Sequence, residues 1–191
     1  MLTPLKDLWQ PGQILVSVVT GVTIAEIQQY APGVIVMRAM PNTAIAIRQS
    51  MTCISAKGAT AAQQSEIVNL FNQLGKAVVI DEELMEASTV LGACGIAYAL
   101  RFIRAATQGG IEIGFDSNTA LLIASQTAKG AAALLLENGQ HPEREIDKVT
   151  TPQGCTIVGL NEMEHNGFSS SLIKGIKLSA LKAGNLYTKE S

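Results

Sequence analysis

The stretch VTTPQGCTIVGL, Val149–Leu160, carries the residues best suited to chemistry in this 191-residue chain. Threonines, a proline, a cysteine and two glycines interrupt segments that otherwise read as helices. Pro152 and Gly154 predict a rigid turn, and Thr156 falls where the next helix begins. The N–H groups of Gly154, Cys155 and Thr156 are then expected to be free and to point outward, which makes an anion site. The Thr156 hydroxyl adds a group that both donates and accepts. The other reading is a plain helix-to-helix corner, in which Thr151 or Thr156 only caps the helix, a common use of Ser and Thr. Cys155 is read as a small pocket-wall residue rather than a nucleophile. His141 reads as a loop residue near a helix start and His165 as a turn residue before Gly167. Neither has a partner that points to catalysis.

Two kinds of element must position that turn. Residues 1 to about 80 alternate between strand and helix patterns. Ile14–Val19 is a short β-branched apolar run. Val22–Tyr30 places Ile24 and Ile27 three apart, as in a short helix. Gly33–Asn42 and Met51–Ala56 are further apolar runs, and Lys76–Asp81 reads as a fourth strand. Thr60–Gly75 is amphipathic, with Ile67, Leu70, Phe71 and Leu74 on one face and Gly75 as its stop. This alternation predicts an α/β layered sheet. Thr20, Gly21 and Asn42 follow strand ends, where open α/β sheets bind ligands; ordinary turn chemistry is the competing reading.

From Asp81 onward the strand signals stop. Arg101, Arg104 and Gln108 form a narrow polar stripe on a helix that is otherwise apolar, which predicts burial on most of its sides. Asp116-Ser117 is placed to cap a helix that is apolar nearly all round to Leu136. Ala120–Leu136 includes Ser125, Gln126, Thr127 and Lys129, so an interior helix is expected there rather than a membrane span. The division predicted is residues 1–80 as part of a dinucleotide-binding (Rossmann-type) domain and 81–191 as an all-α dimerisation and substrate domain. About 100 residues of helix cannot bury so many apolar faces alone, so a homodimer, or a larger assembly of dimers, is expected. A compact monomeric bundle is the alternative.

Composition narrows the function classes. Hydrophobic residues make up 47% and charged residues 16%, as in a folded chain with ample core. A net charge of −2 without a basic run, and 4% aromatics, argue against nucleic acid as the main partner. Three unevenly spaced cysteines, Cys53, Cys94 and Cys155, with two distant histidines predict neither a disulfide framework nor a metal site. No apolar signal core opens the sequence, and a cytoplasmic, non-membrane protein is expected. Neither G-x-G-x-x-G nor GxxxxGK[ST] occurs. Gly109, Gly110 and Gly114 in GGIEIG follow a helix and read as a C-cap and turn.

At MPNT (Met40–Thr43), and again across Asp147–Phe168, the chain resembles pyrroline-5-carboxylate reductase, over about residues 14 to 183. VVTGVT stands for the family's Ala-Ala-Gly-Val-like turn, and MRAMPNTA for its Arg-x-Met-Pro-Asn-Thr strand end. TPQGCTIVGLNEMEHNGF stands for its Ser-Pro-Gly-Gly-Thr-Thr-Ile-Ala-Gly-Leu signature. The resemblance implies a dinucleotide-binding sheet followed by a helical domain that interlocks with a partner copy. It implies reduction of the cyclic imine 1-pyrroline-5-carboxylate to L-proline with NADPH or NADH, the last step of proline biosynthesis. It also implies that the family's first βαβ portion, on the order of 80 residues, is absent.

Imine reduction needs a hydride donor over the C=N carbon, a proton for the nitrogen and an anion site for the carboxylate. By resemblance, Thr156 hydrogen-bonds the imine nitrogen, and Val149 and Thr151 line the same pocket as Gly154 and Cys155. Thr20, Gly21 and Asn42 lie near the nicotinamide end of the cofactor. The chain departs from the family pattern at Leu91–Leu100, where Gly92, Ala93, Cys94 and Ile96 replace two serines, a glycine and a proline. Gln153 replaces a glycine. A non-catalytic dimerising module, or a divergent reductase of another small cyclic imine or carboxylate, is the competing function.

Overall fold

The computed structural model describes residues 2–184. The C-terminal end of the predicted helical domain, residues 185–191, lies outside the described residues. The chain forms two compact units, one running up to Ile96 and including the stretch from Gly175, the other Ala97–Lys174.

The first unit is built on a four-stranded sheet of β1 (Ile14–Ser17), β2 (Ile35–Met40), β3 (Ser50–Ser55) and β4 (Gly75–Val79), in that spatial order. β1 and β2 are parallel and joined through helix α1 (Ile24–Gln28); β3 and β4 are parallel and joined through α2 (Ala61–Asn72). β2 and β3 are antiparallel. Between them lie only Pro41, Asn42, a 3₁₀ turn at Thr43–Ile47, the left-handed Arg48 (φ 58°) and Gln49, too short a link for a crossover helix. The sheet is therefore mixed.

Strand alternation sends Met37 and Ala39 to one face, where they pack with Ile54, Ile67 and Phe71. Val36 goes to the other face, with Ile24, Ile27, Ala31 and Val34. Each such Val, Ile, Met or Phe side chain contributes about 1.5–3 kcal/mol by leaving water. Only glycine fits at position 75: its φ is 144°, and a Cβ there would overlap the backbone of Ser50 on the neighbouring strand.

After Val79 the chain is helical: α3 (Met85–Ser88), a π turn (Thr89–Cys94), α4 (Gly95–Glu112), α5 (Ser117–Asn138), α6 (Pro142–Val149), α7 (Cys155–His165) and α8 (Phe168–Gly184). Gly109 and Gly110 lie inside α4, not at its cap. Gly114 (φ 111°) makes the turn, and Asp116 caps α5 through the Asn118 and Thr119 amides. Gly110 permits close approach of α4 and α5, since a Cβ there would sit 3.1 Å from that of Ala120. Phe102 and Phe168 meet edge to face at 6.5 Å.

The expected burial of α4 and α5 is not met within one chain. Leu100, Phe102 and Ile111 on α4 and Leu122, Leu134 and Leu136 on α5 are exposed. Residues 82–112 and 117–138 are each long and apolar enough to cross a membrane by length and composition. An all-round apolar pattern reports that a face is to be covered, not by what.

Two helix caps carry a pH signature. The Thr23 amide and hydroxyl hold the Glu26 carboxyl below its ordinary 4.5, and the Thr119 hydroxyl and amide hold Asp116 below 3.8. A depressed folded-state value stabilises the fold above the ordinary value and loses that contribution as pH falls through the lower one. Carboxyl-carbon NMR titration should therefore place both midpoints below 4.5 and 3.8 respectively. Midpoints at or above those values would mean the caps are not formed in solution.

Candidate functional site

The predicted turn lies between α6 and α7. His141, read as a loop residue near a helix start, is the exposed N-cap of α6, with Nδ1 accepting the Glu143 N–H at 3.3 Å. His165 is the last residue of α7. α6 stops because Pro152 disfavours helical backbone before it. Thr150 bends away with φ −104° and ψ 90°, its hydroxyl donating to the Ile146 carbonyl at 2.7 Å.

Thr151–Gly154 then closes a four-residue turn, with the Gly154 N–H donating to the Thr151 carbonyl at 3.0 Å. Pro152 is second in it, and Gln153, third, has φ 59°. That is the pattern of a type II turn, which calls for glycine at its third position. Gln153 stands where the family pattern has glycine, so the departure has a backbone cost. Gln153→Gly is expected to stabilise the chain by about 1 kcal/mol, read as a raised thermal midpoint. An unchanged or lowered midpoint would show that the side chain supplies a compensating contact.

Gly154 is the N-cap of α7 and offers no side chain to the first turn. Its own N–H is spent within the turn, which corrects the expectation that all three amides are free. The N–H groups of Cys155 and Thr156 stand at the start of the helix, where no preceding helical carbonyl reaches them. Neither Thr151 nor Thr156 caps the helix. Cys155 and Thr151 are exposed, Thr156 and Gly154 half-buried, and Val149 is 62% exposed. Val149, Thr151, Gly154, Cys155 and Thr156 thus lie at one corner, with the Cys155 and Thr156 amides in the first turn of α7 and the hydroxyls of Thr151 and Thr156. A Cβ at Gly154 would lie 2.5 Å from the Thr151 hydroxyl and 3.0 Å from its carbonyl oxygen. Gly154→Ala is expected to open the turn at a cost of about 1–3 kcal/mol, measured by thermal unfolding.

Thr20, Gly21 and Asn42 belong to the sheet unit, at the carboxyl ends of β1 and β2. Thr20 and Gly21 (φ 75°) are half-buried in the turn that leads to Thr23, the N-cap of α1. Asn42 is 9% exposed and its polar atoms have other partners. Its Nδ2 donates to the Gly92 carbonyl at 3.1 Å, and its Oδ1 accepts the Ala44 N–H at 3.1 Å. The structure makes Asn42 a tie between the end of β2 and the π turn.

Sequence reasoning passed over a buried charge. Arg38, 2% exposed in the middle of β2, lies 3.5 Å from a Glu82 carboxylate oxygen and 3.3 Å from one of Glu86. The same Glu82 oxygen accepts the Ile24 N–H at 2.6 Å. The one available signal was an arginine inside an apolar strand run, since a buried guanidinium must find a carboxylate. Its partners, more than forty positions away, carry no local signal. A cavity of about 280 Å³ at the carboxyl ends of β3 and β4, lined by Ser55, Lys57, Gln64, Asp81 and Glu83 among others, contains none of the predicted residues.

Residues 82–186 match the family model described as pyrroline-5-carboxylate reductase dimerisation. Pyrroline-5-carboxylate reductase 1 of Dictyostelium discoideum is 50% identical over 203 residues, covering 100% of this chain and 37% of its own length. Pyrroline-5-carboxylate reductase 2 of the same organism is 47% identical, with 96% of this chain and 67% of its own length covered. The chain thus spans little more than a third of the first relative and two thirds of the second. Among solved structures, the pyrroline-5-carboxylate reductase of Coxiella burnetii superposes with a TM-score of 0.91 at 25% identity, over 97% of this chain and 70% of that one. The Plasmodium falciparum pyrroline carboxylate reductase, solved with NADP bound, superposes at 0.85 with 23% identity, over 96% and 74%.

Proposed function

The chain belongs to the pyrroline-5-carboxylate reductase family, and from that premise we propose that it carries the substrate half of an NAD(P)H-dependent reduction of 1-pyrroline-5-carboxylate to L-proline. The observation that supports this most is the start of α7: an N-cap without a side chain, two first-turn amides and the Thr156 hydroxyl beside them. The amides of Cys155 and Thr156 take the ring carboxylate, aided by the positive end of the helix dipole. The Thr156 hydroxyl hydrogen-bonds the ring nitrogen and serves its protonation. Val149 and Thr151 bound the pocket. A reduced nicotinamide, when bound, supplies the hydride to the C=N carbon. Thr20 and Gly21 are the residues of this chain suited to its ring end.

The reading extends to assembly and location. A second copy of this chain, paired through the region matched to the dimerisation family, covers the apolar faces of α4 and α5, in place of lipid or nucleic acid. Cys53, Cys94 and Cys155 are all free thiols, which fits a cytoplasmic, reducing compartment. NADPH titration into the 191-residue chain tests the cofactor part. Saturable binding in the micromolar range supports it. A chain that dimerises yet shows neither binding nor turnover is a dimerising module without catalysis.

A further inference from the structure

We propose that residues 82–92 clasp the carboxyl ends of β1 and β2, and that Glu82 is a positioning residue for the Thr20–Gly21 turn, acting through the Ile24 N–H. The role of that turn rests on the proposed function; the clasp itself does not.

α1 has five residues, too few to hold itself in water. Its capping box satisfies the Thr23 and Glu26 amides locally. Of the other two first-turn amides, that of Ile24 donates to Glu82 at 2.6 Å, from 58 residues away. The carboxylate does not swing freely, because the buried Arg38 guanidinium holds the same oxygen from the sheet side. Ile24 follows the Thr20–Gly21 turn by three residues, and Gly21 is in the left-handed region. The direction in which that turn leaves β1 is therefore fixed at its far end by Glu82.

A second bond of the same kind lies at the end of β2. The π turn at Thr89–Cys94 is wider than an α-turn and disturbs the regular carbonyl ladder. The Gly92 carbonyl receives the Asn42 Nδ2. Asn42 is itself anchored, its backbone N–H donating to the Ser50 hydroxyl at 3.1 Å, which pairs with Thr52 at 3.1 Å. Both sheet-end turns expected to face the nicotinamide are thus tied, by separate bonds, to one connector. That connector starts at Glu82, where the match to the dimerisation family also starts. The region matched as a dimerisation segment consequently sets the shape of the sheet-end turns.

The test uses the full 191-residue chain and backbone amide exchange, with Glu82→Ala and Glu82→Gln compared. Glu82→Ala should speed exchange at Gly21–Ile24 about tenfold or more relative to the α2 amides, the loss of one charge-assisted hydrogen bond. Glu82→Gln keeps the accepting Oε1 and should restore most of the protection. A uniform rise over Gly21–Ile24 and α2 together would reduce Glu82 to a general stabiliser and overturn the proposal, as would no rise at all. If the parent chain binds no NADPH and turns over no substrate, the functional reading of the turn fails while the exchange comparison still decides the clasp.

Discussion

Arg38→Met is expected to destabilise the chain by about 3 kcal/mol or more, because it leaves the carboxylates of Glu82 and Glu86 facing an apolar strand with no countercharge. Glu82 carries most of that cost, its side chain being 15% exposed against 33% for Glu86. Methionine keeps the length of the arginine stem, so the loss reports charge rather than cavity. Adding Glu82→Gln to Arg38→Met should recover part of the loss, since removing both members of a buried pair is less harmful than removing one. Chemical unfolding of the single and double variants measures both. A single variant within about 0.5 kcal/mol of the parent would show that the cluster is solvated and contributes little.

Thr156→Ala is expected to lower turnover about a hundredfold while leaving unfolding close to that of the parent. The hydroxyl is the only side-chain group of the α7 first turn assigned to the ring nitrogen, and positioned proton transfer is worth about that factor. It is not a helix cap, so its removal should not cost what losing a cap does. Thr156→Ser keeps the hydroxyl and should retain most of the rate. Equal turnover in Thr156→Ala and the parent would remove this residue from the mechanism, leaving the backbone amides as the sole contribution of the corner.

What was legible in the sequence was what is local. β-branched runs bounded by glycine and proline marked all four strands, and the apolar spacings at Ile24/Ile27 and at Ile67, Leu70, Phe71 and Leu74 marked the two helices between them. Pro152 followed by Gly154 announced a turn, and Thr156 fell at the start of a helix. The antiparallel pairing of β2 and β3 was less legible, because it depends on how short the link at residues 41–49 is rather than on either strand. The freedom of the Gly154 amide was misread because the turn that exposes its neighbours consumes it. The exposure of α4 and α5 within one chain agrees with the expectation that a second copy covers them, since periodicity shows which faces are apolar. The Arg38–Glu82–Ile24 and Asn42–Gly92 contacts were invisible, since each joins positions brought together only by the folded sheet.

The most direct test of the account is L-proline formation from 1-pyrroline-5-carboxylate and NADPH. The chain would be assayed as it stands, and joined to the part of the 47%-identical Dictyostelium relative that it does not span. Stoichiometric NADPH oxidation and L-proline formation are expected of at least the joined protein, abolished or reduced about a hundredfold by Thr156→Ala. A folded, NADPH-binding joined protein that forms no L-proline would contradict it.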